Sequence, residues 1–357
     1  MIDALVIGGG IAGVSLGARL APHMGVTLLE AEPVLGYHAS GRSAAMFEET
    51  YGLPSTVALN QASKEEHFTL GDGDLLSPRG LMLLDSADPA NFEADMVQMK
   101  MEAISVEDAR AMVPVLDPGV VRRAGYHAEA WDIDTDRLIQ TFAKTIRSHG
   151  GEVRPGAQVT GIEKLPGGWL VNTVKGNFEA RMICNAAGSW VDQIARMAKV
   201  APLGFTPYRR SMARIAAPGG HDVQGWPMMF GPGETWYAKP DAGALIVSPA
   251  EEDPSEPMDA WPEDHVLAEG LARYQENVTE EVTRPIASWA GLRTFSPDRN
   301  LVIGFAKDEP GFFWQAGQGG YGFQTSPAAS RFGADLILGR ASELDAGTQA
   351  ALSPDRF

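Results

Sequence analysis

The apolar run from Ile2 to Ile7 ends in Gly8-Gly9-Gly10 and gives way to helical spacing between Ile11 and Leu20, which sets Gly8, Gly10 and Gly13 as G-x-G-x-x-G at a strand-to-helix turn. A second apolar run, Val26 to Leu29, closes on Glu30. Strand, glycine turn, helix, strand and terminal acid are the parts of a βαβ unit that holds a dinucleotide. The first glycine permits the tight turn, the second lets the backbone approach a diphosphate, and the third lets helix and strand pack closely. Amides around Ile11 and Ala12 and the positive helix end then face the anion, while Glu30 accepts hydrogen bonds from ribose hydroxyls. A chain carrying this unit needs a parallel sheet covered by helices, and so belongs to the α/β class.

Helical spacing returns over Ser55 to Phe68, Asn91 to Met101, Arg137 to His149, Glu263 to Gln275 and Thr325 to Leu338. Strand-like runs are Leu81 to Leu84, Gln158 to Ile162, Trp169 to Val174, Arg181 to Asn185, Met212 to Ala216, Ala244 to Val247, Leu301 to Ile303 and Phe312 to Gln315. From Pro202 to Trp289 short β-like runs alternate with Pro-rich loops, the texture of an antiparallel sheet. The run Gly317-Gln318-Gly319-Gly320-Tyr321-Gly322 then repeats the glycine-turn-before-helix pattern, so the last segments are expected to rejoin the first sheet. At 357 residues the chain exceeds one ordinary core, and two domains follow. The expected division is a discontinuous dinucleotide domain over 1–80, 136–200 and 296–357, and a substrate domain over 81–135 and 201–295.

Composition excludes several function classes. A net charge of −17 repels phosphate backbones and anionic lipid, which argues against a nucleic-acid partner. Cys184 is the sole cysteine, so the chain alone builds no disulfide, zinc cluster or iron–sulfur site, and a reducing, cytoplasmic home is expected. No apolar run reaches the ~20 residues of a transmembrane helix, and Met1 to Ile7 lacks the order of a signal peptide.

Five stretches carry a likeness to a known family: ALVIGGGIAGVSLGARL, LLEAEPVLGYHASGRSAA, CNAAGSWVDQIA, WAGLRTFSPDRNLVIG and GFFWQAGQGGYGFQTSPA. Over nearly the whole chain they resemble the D-amino-acid oxidase and dehydrogenase group of flavoproteins, which includes sarcosine and glycine oxidases, and within it bacterial D-arginine dehydrogenase most. The resemblance implies a glutathione-reductase-type, Rossmann-like FAD-binding domain beside an α+β substrate domain whose mostly antiparallel sheet roofs the flavin. It implies that Arg42, Ser43 and Ala44 lie along the FAD, with Val159 near its adenine end. Ala187, Gly188 and Trp190 are expected where the chain passes close to the cofactor, and Gly317, Gly319, Gly320, Tyr321, Gly322 and Gln324 where it covers the ring. Some members attach flavin through a cysteine near the C-terminus; this sequence has none there, so non-covalent FAD is expected.

Oxidation at the α-carbon of an amino acid requires a carboxylate clamp that sets this carbon over the flavin. The resemblance assigns the clamp to Arg210 and Arg293, with Arg209 competing for the first role, and the accompanying hydroxyls to Tyr51 and Tyr237. The side-chain pocket falls to Met46, Glu48 and Leu81. The D-arginine enzyme carries a carboxylate where Leu81 stands and a histidine where Met46 stands; leucine cannot pair with a guanidinium, so neutral or apolar D-amino acids are expected, while Glu48 either restores a negative charge to the pocket or is a solvated loop residue. The products are then a 2-keto acid and ammonia by way of an imine, with oxygen or a quinone or other redox partner as electron acceptor. The same clamp serves N-methyl or secondary amino acids such as sarcosine or proline. A 2-hydroxy acid needs a base, for which His38 is the candidate, and a flavin kept as a structural element without turnover is the non-enzymatic alternative.

Overall fold

The computed structural model describes residues 1–282 and 284–357. Its eight-stranded sheet is built on a parallel run in the spatial order Glu152–Arg154, Val26–Leu29, Ile2–Ile7, Gly176–Asn185 and Glu309–Ala316. Val159–Leu165 and Gly168–Thr173 add an antiparallel wing on the first half of Gly176–Asn185, and Val302–Ala306 pairs antiparallel with Glu309–Ala316. Ile2–Ile7 is apolar on both faces because both faces are covered, as a central parallel strand requires. Val6 packs into one core with the helices Ile11–Leu20, Thr135–Ser148 and Gly322–Leu338; Leu5 and Ile7 pack into another with Ile183, Val191 and Trp314.

The sequence places Ile2–Ile7, Ile11–Leu20, Val26–Leu29, Thr135–Ser148 and Gly168–Thr173 within two residues at each end. Thr135–Ser148 shows why: Asp134 accepts from the Arg137 amide at its start, and Leu138, Ile139, Phe142 and Ile146 bury one stripe. Three differences have local causes. The helix expected over Asn91 to Met101 is Pro89–Gln98, started by proline and the Asp88 cap. The strand expected from Arg181 begins at Gly176, because its polar first half pairs in the exposed wing. The last helix begins at Gly322 despite Pro327; Phe323 O, which loses the amide of Pro327, accepts instead from Ser326 Oγ at 2.9 Å.

A nine-stranded sheet runs in the order Asp253–Pro254, Thr206–Ala216, Ala244–Ser248, Tyr237–Asp241, Met228–Phe230, Leu81–Asp85, Arg123–His127 and Glu102–Ile104, with Ala287–Phe295 also on Thr206–Ala216. All its pairings are antiparallel save Met228–Phe230 with Leu81–Asp85. A small antiparallel sheet of Met46–Glu48, Ala130–Ile133 and Leu76–Pro78 bridges the two. The large sheets meet where Ser189 Oγ lies 2.9 Å from Thr294 Oγ1 and Trp289 Nε1 donates to Arg42 O at 3.2 Å. The cavities lie along this junction. Among the described residues no helix is long and apolar enough to cross a membrane.

Candidate active site

The glycines of the first turn are forced by contact. Gly8 sits at φ +113, where a Cβ would collide with the Ala186 carbonyl of the neighbouring parallel strand. A Cβ on Gly13 would collide with the Gly8 carbonyl oxygen, so helix and strand can approach this closely only without one. Gly10 is different: its φ is −77 and a Cβ would meet only Ser40 Oγ at 3.1 Å, which leaves the absence of a side chain to serve whatever lies over the turn. Glu30 is buried and accepts from the amides of Gly9 at 2.6 Å and Glu32 at 2.8 Å. Burial raises its pKa above the usual carboxylate value, and those two amides partly offset the rise.

Two joined cavities follow from this turn. The first is lined by Gly8, Gly10, Glu30, Val159, Ala187, Gly188 and Trp190, and His38 stands in it, bonded through Nε2 to Glu32 at 2.9 Å. The second shares Gly10, Ala39, Ser40 and Gly188 with it and continues past Ile11, Ala12, Arg42 and Ser43 to Gln318, Gly319, Gly320 and Gly322. Ser40 Oγ accepts from the Ile11 amide at 3.1 Å, closing the loop over the helix end. Gln318 Nε2 is buried without a partner. Glycine cradle, terminal acid, helix end and this waiting donor fit a dinucleotide as long as FAD.

Some expected cofactor contacts have other work. Arg42 lines the channel, yet its guanidinium donates to Ala260 O, Ala290 O and Asp259, tying the cofactor loop to the substrate sheet. Gly317, at φ +74, packs on Phe205 and Asn300, and Tyr321 caps the last helix beside Tyr51; neither lines the channel. Ala44 and Gln324 line the next cavity along, and Gln324 Nε2 donates to Tyr51 O at 3.2 Å.

His67 steadies the start of the last helix: its Nε2 bonds to Gln324 O at 2.8 Å. Burial pushes its pKa down from 6.5 to about 4. The unfolded chain therefore binds an extra proton between those values, so stability is full above pH 6.5 and falls as pH drops toward 4. The loss attributable to this one side chain is about 3 kcal/mol, at 1.36 kcal/mol per unit. Replacing His67 with Gln should flatten the pH dependence of the denaturant midpoint between pH 6.5 and 4.5.

The third cavity shares Ser43, Arg210, Arg293 and Gly320 with the channel and is walled by Ala44, Ala45, Met46, Glu48, Tyr51, Leu81, Tyr237 and Gln324. The sequence alternation of Thr206–Ala216 puts Arg210 inward, into the cavity lining, while Arg209 pairs with Glu263 at 2.6 Å. Arg210 is buried, with Nε donating to Glu251 O at 3.0 Å, Nη2 3.3 Å from Glu252, and Nη1 without a partner. Burial first and Arg293 second lower its pKa. Arg293, in the adjacent antiparallel strand Ala287–Phe295, makes no hydrogen bond or ion pair with any described residue. Burial opposes its charge, but Tyr51, Tyr237 and Glu234 outweigh that and raise its pKa. The Tyr237 hydroxyl is buried without a partner, and Tyr51 OH donates to Glu234 at 2.9 Å. Burial, then the Glu234 carboxylate, hold the Tyr51 pKa well above the phenol value, so it remains a donor.

Of the two readings of Glu48, the solvated loop is removed. Glu48 is 3% exposed and stands on the Met46–Glu48 strand, facing the arginine pocket; it is not a solvated loop residue. Its carboxylate is held by the amide and hydroxyl of Thr50 and by His127 Nε2 at 3.5 Å, and burial raises its pKa. Pocket residues absent from the sequence reading are Met99, Met228, Phe230, Glu234 and Trp236. They sit on short strands and turns with no chemical motif; only the Gly231-Pro232-Gly233 run before Glu234 signals a tight turn, in which Glu234 itself adopts φ +54.

The comparisons with known proteins agree with this architecture. The family described as FAD dependent oxidoreductase (DAO) matches residues 3–336. Glycine oxidase of Pseudomonas putida is 25% identical over 359 residues, spanning 96% of each chain. Among solved structures, L-proline dehydrogenase from P. horikoshii superposes with a TM-score of 0.80 at 23% identity, covering 95% of this chain and 94% of that one. Iminodiacetate oxidase from Chelativorans sp. BNC1 gives 0.81 at 19% identity, with 96% and 97% covered. With its N-terminal glycine cradle, its channel and its family match in agreement, this chain belongs to the DAO family of FAD-dependent oxidoreductases.

Proposed function

We propose that this enzyme oxidises a D-amino acid at the α-carbon, yielding an imine that water converts to a 2-keto acid and ammonia. The observation that carries the reading is the cluster of unanswered donors at the end of the channel: the Arg293 guanidinium, Arg210 Nη1 and the Tyr237 hydroxyl, all facing one cavity. Arg210 Nη1 and the Arg293 guanidinium, which have no acceptor among the described residues, suit a substrate carboxylate, whose geometry matches the arginine fork. Bound FAD supplies the acceptor for the α-hydrogen as hydride. Arg210 and Arg293 hold the carboxylate, Tyr237 donates to it, Tyr51 does so on giving up its bond to Glu234, and the apolar wall of Met46, Leu81, Met99, Met228 and Phe230 excludes water. Glu48 is the acceptor within that wall, and a side chain ending in a neutral donor suits the pocket as well as an aliphatic one. The division of labour follows the two large sheets, with cofactor segments 1–80, 136–200 and 296–357 and substrate segments 81–135 and 201–295.

A second reading, oxidation of an N-methyl or secondary amino acid, draws on two of the relatives, which act on the secondary amines L-proline and iminodiacetate, whereas the glycine oxidase acts on a primary amine. The 2-hydroxy-acid reading has less support, since His38 bonds Glu32 in the dinucleotide cavity, away from the arginine pocket. Anaerobic bleaching of the flavin absorbance separates these. Neutral D-amino acids should bleach it, with L-enantiomers slower by at least tenfold; bleaching by sarcosine or proline alone supports the second reading. No bleaching by any amine or hydroxy acid would leave a flavin without turnover. FAD should be held non-covalently: Cys184, the sole cysteine, is buried in a strand with its thiol pKa pushed up to about 12. Acid precipitation should therefore leave all yellow colour in the supernatant.

A further inference from the structure

Behind the arginine pocket, three charged side chains form a closed chain that no step above uses. Lys239, on the Tyr237–Asp241 strand, is 8% exposed. Its Nζ lies 2.8 Å from Asp132 Oδ1, and Asp132 Oδ2 is in turn bonded by Arg79 Nε at 2.7 Å and approached by Nη2 at 2.6 Å. Arg79 Nη1 donates to the carbonyls of Gln224 and Trp226, both at 2.7 Å. The remaining contact of Lys239 is with the carbonyl of Ala45, at 3.5 Å, which also accepts from the Ile133 amide at 3.3 Å.

Ala45 lies in the segment Ser43–Met46, the wall shared by the cofactor channel and the arginine pocket: Ser43 lines both cavities, and Ala45 and Met46 line the second. A lysine desolvated to this degree is costly unless its charge is answered, and here Asp132 and a single wall carbonyl answer it. Two cations share one carboxylate, so the cluster keeps net positive charge behind that wall. We propose that Lys239 is a positioning residue, whose ammonium, backed by Asp132 and Arg79, fixes the Ser43–Met46 wall against FAD and biases that site toward negative charge. The inference rests on the family's FAD and is independent of which substrate is oxidised.

The test uses the purified holoprotein and its apo form. Lys239→Met should raise the FAD dissociation constant about tenfold and move the midpoint potential of the bound flavin to more negative values, because a buried positive charge is removed. Lys239→Arg, which keeps the charge, should retain the wild-type potential. Arg214→Met, on the same sheet but bonded only to Asp241 and the Ala242 carbonyl, should leave both readouts unchanged. Should Lys239→Met fail to fold, Lys239→Gln reads the same two signals. A folded, neutral variant with either the wild-type FAD affinity or the wild-type potential overturns the proposal.

Discussion

Arg293→Ala should lower kcat/KM for the amino-acid substrate by at least about 100-fold while leaving the protein as stable as before. The first half follows from the strength of charge-assisted hydrogen bonds, roughly 1.5–3 kcal/mol each, and a guanidinium fork makes two of them to a carboxylate. At 1.4 kcal/mol per decade the pair is worth two powers of ten or more. The second half follows from what Arg293 lacks. Its guanidinium has no acceptor among the described residues and depresses the pKa of Arg210, second only to burial, so the two cations repel each other in the ligand-free pocket. Truncation removes that repulsion together with the attraction of Glu234 and breaks no hydrogen bond or ion pair among the described residues; the melting temperature should stay within about 2 °C. An arginine serving a structural ion pair would behave in the opposite way, losing stability with little change in rate. Arg293→Lys keeps the charge without the planar fork and should fall between, at about tenfold. Steady-state kinetics and calorimetry on the three proteins decide the matter, and unchanged kinetics in Arg293→Ala would remove this residue from the site.

The contrast between Arg293 and Arg42 marks what a sequence can convey about this site. Both arginines sit in stretches that resemble the family, and the resemblance places both near the ligand. The structure keeps Arg293 free but commits Arg42 to Asp259 and two carbonyls, because the 255–263 segment folds back over the cofactor loop. Such a contact joins residues more than two hundred positions apart, and no local pattern encodes it. Glu48 teaches the same lesson: three residues of strand, Met46–Glu48, are too short to show alternation, so its inward face is visible only once Ala130–Ile133 pairs with it. By contrast, the glycine turn, the capped helix Thr135–Ser148 and the buried strand Ile2–Ile7 are specified by their own residues, and all three stand where the sequence puts them. The nine-stranded sheet lies between these cases. Its antiparallel character is legible from proline-punctuated runs, but Met228–Phe230, which furnishes part of the pocket wall, is recruited by register with Leu81–Asp85.

The glycine fingerprint itself offers a two-part experiment, since its members do different physical work. In Gly13→Ala the added methyl would occupy the space of the Gly8 carbonyl oxygen, and neither backbone can yield without separating the helix Ile11–Leu20 from the strand Ile2–Ile7. Overpacking against backbone at the centre of the sheet should cost about 3 kcal/mol, and the variant should be both less stable and colourless. In Gly10→Ala the methyl meets only Ser40 Oγ at 3.1 Å, with φ already at −77, so the apoprotein should melt as the wild type does. FAD affinity should nevertheless fall roughly 10- to 100-fold, because a diphosphate drawn onto the helix-end amides must pass where that methyl lies. Calorimetry of the apoproteins and fluorescence titration with FAD read the two effects separately. Loss of flavin binding in Gly10→Ala at unchanged stability would place the diphosphate over this turn; full affinity there would mean that the glycine cradle serves only the packing of strand and helix, and that the anion is held elsewhere in the channel.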